Sequence, residues 1–218
     1  MREILYDPAY VVPAVPPGSA GVGWLRATVG RFCEGDDHAR RRGLAEAILD
    51  GIPPGSLKGE RGHPVAVLAA AMGVTDPDVA SLVEDVAQAY QPGSGDDERA
   101  DPAVERLVVI FGGRRDEETA ARIGVLVQAC TATLALIEKA RHRPVDEVLR
   151  DDPPVPFTKR RRIDSDEVVL VPLAGETAFG AGPRRCPGRA HALALAEAAT
   201  NHSGAGRRSS PRPGPPSP

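Results

Sequence analysis

Aromatic residues are scarce in this chain. Phe, Trp and Tyr make up only 4 % of its 218 residues, so any core must rest on Ala, Val and Leu. Cysteine is scarce too: Cys33, Cys130 and Cys186 are an odd number at distant positions. That excludes a disulfide framework and leads to the expectation of a reducing, cytoplasmic setting. The opening MREILYDPAYVVPAVPPGSAG holds early charges and prolines where a signal peptide needs an apolar run. Uninterrupted apolar runs stop short of the ~18 residues of a membrane span, so no membrane association is expected. Charge of either sign is nearly balanced, at a net −3, which argues against nucleic-acid binding. No H-E-x-x-H, paired C-x-x-C or G-x-S-x-G is present, which leaves zinc and hydrolase chemistry without a motif. Gly18–Gly23 (GSAGVG) lacks the Lys-Ser/Thr of a phosphate loop and reads as linker.

Helical periodicity fills most of what remains. Gly23–Ile52 reads as helix, polar loop and helix, with Asp36 or Asp37 as N-cap and Leu44, Ile48 and Leu49 as an apolar stripe. Pro64–Val74 and Pro77–Tyr90 form a second helical set, and Gln91–Asp101 reads as a loop. The longest helical region follows, from Pro102 to His142. Between Asp116 and Arg141 it has no Gly or Pro except Gly124, and Ile123–Ile137 is apolar nearly all round, the pattern of a helix buried at the centre of a fold. Val145–Arg150 is a short helix ended by DDPPVP, and the β-branched run in Asp166–Gly175 reads as a strand. The class expected is mainly α with a small β component, in one domain over residues 1–200. Residues 201–218, rich in Ser, Gly, Pro and Arg, read as a disordered tail.

One short stretch stands apart. FGAGPRRCPG, from Phe179 to Gly188, is a Gly/Pro turn around a single cysteine, and it leads directly into an Ala/Leu-rich helix. Phe179, Gly182, Arg184, Cys186 and Gly188 fit the spacing F-x-x-G-x-R-x-C-x-G, which resembles the haem-ligand loop of the cytochromes P450. The arrangement suits a thiolate ligand. Glycines permit the tight turn that aims backbone N–H groups at the sulfur, and the N-terminus of the following helix favours an anion. The resemblance implies a truncated P450-like helical fold. It also implies that Cys186 is the axial ligand of a haem b iron, and that Arg184 partners a haem propionate as a charge-assisted donor.

Other segments agree in the order that the family carries them. Glu147-Val148-Leu149-Arg150 followed by Asp-Asp-Pro-Pro-Val resembles the family's E-x-x-R and its sequel, which implies a buried ion pair. Arg160, beyond the Pro-Pro, matches an arginine that reaches a propionate, although Lys159–Arg162 is also a basic run of the kind that is usually solvated. His38 and Arg42 resemble an H-x-x-x-R whose side chains hold the propionates. The apolar helix resembles the one that crosses the distal face of the haem. There the pattern departs: Thr131 falls at the acid position and Ala132 at the alcohol position, with Thr133 next, and no carboxylate lies between Arg122 and Glu138. Thr131 and Thr133 are thus the candidate distal hydroxyls. The chain is also far shorter than most of the family, with little room for the meander whose arginine locks E-x-x-R.

The function implied by the resemblance is a haem-thiolate monooxygenase. It would act on a small apolar organic substrate held against Val125–Ala132. Electrons would come from a ferredoxin-type or flavin redox partner and ultimately from NAD(P)H. A haem-binding or accessory protein without oxygenase activity, and a decayed fragment, are the alternatives.

Overall fold

The computed structural model describes residues 1–200; the expected tail, 201–218, lies outside the described residues. Eight α-helices and three short strands are present among them. The helices are α1 (Gly21–Thr28), α2 (Gly35–Asp50), α3 (Pro64–Ala71), α4 (Val79–Ala89), α5 (Asp97–Ile110), α6 (Glu117–Ala140), α7 (Val145–Asp151) and α8 (Arg189–Thr200). The strands β1 (Tyr10–Val11), β2 (Phe157–Arg162) and β3 (Val168–Pro172) form an antiparallel sheet in that order. This is the mainly helical fold with a small β component that the sequence implies.

α6 organises the helices. The Asp116 carboxylate caps it by accepting from the Thr119 N–H, and Glu117 and Glu118 lie in its first turn, where the helix dipole favours acids. Its middle is buried on several sides, with Ile123, Leu126, Cys130 and Leu136 at 2 % exposure or less. α2, α3, α4 and α8 pack around it. By length and composition alone α6 could cross a membrane; here it is enclosed by the helices around it. Leu25, Leu68, Val83, Val86, Val104 and Leu107 complete the core, with Trp24 and Tyr90 its only buried aromatics among the described residues. Each buried leucine contributes roughly 1.5–3 kcal/mol, so the aliphatic core replaces the missing aromatics by number.

Two helix starts differ from the sequence reading. α5 begins at Asp97 rather than near Pro102, because the Asp96 side chain accepts from the Glu98 and Arg99 N–H groups. Pro102 therefore sits in the second turn of the helix. α2 begins at Gly35, in the left-handed region at φ 59°, with Glu34 at the N-cap position. Asp36 and Asp37 are the acids of its first turn and not its cap.

The sheet adds what the basic run Lys159–Arg162 conceals. β2 pairs with β3 from Phe157 opposite Pro172 to Arg161 opposite Val168, while β1 pairs with the end of β2. The period of two turns Thr158, Arg160, Val169 and Val171 to the inner face, over Leu5, Leu173 and Ala181. Lys159 and Arg161 go to the other face with Phe157, Val168 and Leu170. The E-x-x-R ion pair does not form. Arg150 is exposed and pairs with the neighbouring Asp151, and Glu147 makes no ion pair with it. At this exposed helix end both Arg150 Nε and Nη2 donate to the adjacent Asp151 carboxylate, at 2.9 and 3.3 Å.

Candidate functional site

The cysteine loop folds as its glycines dictate. Gly180 and Gly182 both have positive φ, 73° and 65°. A Cβ on Gly182 would lie 2.5 Å from the Leu5 carbonyl oxygen, so only glycine fits there. Gly188 has no such constraint: its added Cβ would make an ordinary contact with Leu49. The Cys186 N–H donates to the Phe179 carbonyl at 2.8 Å and closes the turn. Phe179 is half-buried and lies under the Arg189 guanidinium, 5.7 Å from its ring centre.

Cys186 itself is exposed, three residues before α8. The protein around the sulfur pushes the thiol above its ordinary pKa, while the Gly188 N–H and the charges of Arg42 and Arg31 pull the other way. Cys186 also lines an open recess of about 530 Å³ with Arg42, Leu49, Arg189 and Leu193. By contrast Cys130 is buried in the core, which pushes its thiol up to about 11.

Cationic side chains collect around this loop. Arg42 on α2 pairs with Glu46 and donates to the Arg185 carbonyl at 2.8 Å. Arg184 pairs with Glu34 at 2.7 Å and donates to the carbonyls of Cys33 and Arg31. It thereby ties the loop to the segment leading into α2. His38 is half-buried between them; burial, and then the charges of Arg184 and Arg42, depress its pKa. Arg160 is the extreme case. It is 7 % exposed and donates only to Thr158 Oγ1 and the Lys159 carbonyl, each at 2.9 Å, and among the described residues no carboxylate lies within ion-pair distance. Burial depresses its pKa, and Arg184 adds repulsion. An uncompensated buried guanidinium is costly and calls for an anion.

Arg31 and Glu34 belong to the same cluster, since Arg31 acts electrostatically on both Cys186 and Arg160, and Glu34 supplies the acid nearest to Arg184. The sequence reading missed both, because a lone Arg and a lone Glu between two helices carry no local signal. The fold thus gathers His38, Arg42, Arg184 and Cys186, with Arg160 next to Arg184. The distal candidates stand apart. On α6 Thr131 is exposed and Thr133 is 2 % exposed, so the two hydroxyls face different surroundings. Near them the Gln128 carboxamide donates to the Gly124 carbonyl of its own helix at 3.0 Å.

Three observations fit a haem with two carboxylate arms. They are an exposed thiol beside the Gly188 N–H, a turn that admits only glycine at position 182, and a buried arginine without a counter-ion among further cations. Among the described residues there is no group of three or more His, Cys, Asp or Glu that could hold a bare metal ion.

No protein-family model and no curated protein matches this chain. A solved structure does: P450BioI in complex with acyl carrier protein ligated with hexadec-9Z-enoic acid. The likeness has a TM-score of 0.62 at 16 % identity, and covers 92 % of this chain and 81 % of that one. At this identity it establishes a P450-like fold.

Proposed function

We propose that this chain is a P450-like haem-thiolate protein acting as a monooxygenase on a small apolar organic substrate, with electrons from a separate ferredoxin-type or flavin partner fed by NAD(P)H. The observation that carries this is the pairing of the Cys186 loop with a buried Arg160 that has no acid partner among the described residues, inside a P450-like fold. Haem b, when bound, supplies the activation of dioxygen. The chain's own residues do the rest. Cys186, as a thiolate, would hold the iron of that group, and the Gly188 N–H and the positive charges of Arg42 and Arg31 would favour its deprotonated form. Arg160, Arg184 and Arg42 would hold its carboxylate arms as charge-assisted donors, and His38 would take up a proton as that anion offset the repulsion from Arg184 and Arg42. Thr131, exposed on α6, is the hydroxyl available to hold a water or donate a proton. The similar solved structure holds a carrier-ligated acyl chain, so carrier-tethered fatty acyl groups belong among the substrates tried.

A second reading, a haem binder without oxygenase activity, is favoured by one feature: no carboxylate lies on α6 between Arg122 and Glu138. Turnover separates the two. The chain is loaded with haem and supplied with surrogate redox partners and apolar substrates. Hydroxylated product supports the monooxygenase, and stoichiometric haem without product under any donor supports the binder. A folded chain that takes up no haem contradicts both.

A further inference from the structure

Arg160 raises a question that the haem reading leaves open, namely what neutralises it before haem arrives. Its side chain is more than nine-tenths buried, and among the described residues only Nη1 has hydrogen-bond partners. Its remaining donors are not sealed off. Among the described residues the buried side-chain nitrogen and oxygen atoms without partners are Tyr90 Oη and His191 Nδ1, and no Arg160 atom is among them. The unused N–H groups therefore reach accessible space. Around that space the balance is cationic. Arg184 and Arg31 repel Arg160, and the one acid acting on it, Glu34, is already committed to Arg184 at 2.7 Å and to the Val12 N–H. A planar guanidinium with free donors and further cations beside it matches a multiply charged oxyanion.

We propose that Arg160 forms the floor of an oxyanion site, with Arg184 and Arg31 at its rim, which in the haem-free chain takes a free polyvalent oxyanion such as phosphate. Haem carboxylates then displace that anion. The displacement rests on the haem reading, whereas the oxyanion site does not. The haem-free chain gains stability when its buried charge is compensated, so a solution anion supplies in the apo state what the prosthetic group supplies later.

The probe is inorganic phosphate, titrated into the haem-free chain with ionic strength held constant by chloride. Phosphate at tenfold its Kd raises the melting temperature saturably by about 3 °C. In Arg160→Met the saturable response disappears, and the haem-free variant melts higher than the parent because an uncompensated buried charge is gone. Arg31→Gln, at an exposed position, binds phosphate a few-fold more weakly. At the same phosphate concentration the apparent affinity for haem falls about tenfold in the parent chain and not in Arg160→Met. Equal phosphate responses in parent and Arg160→Met overturn the site. So does the absence of a saturable response in the parent, or, should Arg160→Met fail to fold, unchanged phosphate affinity in Arg31→Gln. Arg160-dependent phosphate binding with no effect on haem affinity overturns the displacement alone. Arg160-dependent phosphate binding in a chain that never takes up haem keeps the site and discards the haem reading.

Discussion

The helical side and the cysteine side of this molecule differ in how completely their buried charges are compensated. Around α6 the aliphatic side chains are closed off, and the one deeply buried charge near them, Arg26, is held by Asp97 and by the Ala89 and Tyr90 carbonyls. At the cysteine side Arg160 is as buried as Arg26 yet has no acid partner, His38 sits among cations, and Cys186 is exposed. The first side needs nothing more in order to fold. The second side has the makings of a site completed by an anionic ligand, and it gives up stability for that purpose.

Breaking the satisfied side has the largest effect. Leu126→Ala removes a fully buried side chain of α6 and is expected to cost about 3–4 kcal/mol, read from denaturant unfolding. Haem uptake per folded molecule is expected to stay unchanged. Gly182→Ala strikes the other side. It places a Cβ against the Leu5 carbonyl at a positive φ and is expected to cost about 1–3 kcal/mol. Here haem uptake is expected to fall with the loop, beyond what lost stability explains.

Smaller effects sharpen the contrast. Glu117 joins α6 to α2 through Arg40 and Arg41, and the Arg40 hydrogen bonds hold its carboxyl down at about 2. A depressed carboxylate stabilises above its ordinary pKa of 4.5, and that stability is lost as pH falls through the folded value near 2. Glu117→Gln is expected to remove up to about 1 kcal/mol at neutral pH, since the network is partly exposed, and to flatten the acid limb of stability against pH. His38 behaves in the related sense for a base. Its folded pKa lies below the ordinary 6.5, so the neutral ring is favoured in the fold and stability declines as pH falls below that range. His38→Gln removes this decline from the haem-free chain. Bound carboxylates are expected to abolish it in the parent as well.

Legibility in the sequence divides along the same line. α6 could be read because an unbroken apolar stretch of that length, capped by Asp116, has few alternatives to a central helix. The cysteine turn could be read from the spacing of Phe179, Gly182, Arg184, Cys186 and Gly188, in which Gly182 marks backbone that other residues resist. Arg160 could be listed but not valued: in a run of Lys and Arg every residue looks solvated, and only pairing with β3 decides which of them turns inward. Arg31 and Glu34 were invisible, since their role comes from Arg184, more than a hundred residues away in the chain, folding back onto their segment. The start of α5 was misplaced because Pro102 suggests a boundary, while Asp96 supplies a better cap five residues before Asp101. The Glu147–Arg150 pair was expected on resemblance, and it does not form because Arg150 is exposed and pairs with the adjacent Asp151 carboxylate.

The central claim is thiolate ligation by Cys186, and the ferrous carbon monoxide spectrum tests it most directly. The account predicts that the haem-loaded, reduced parent chain shows the red-shifted Soret band of a thiolate-ligated complex, and that Cys186→Ser loses it while remaining folded. An unshifted band in the parent, or the same red-shifted band in Cys186→Ser, contradicts it.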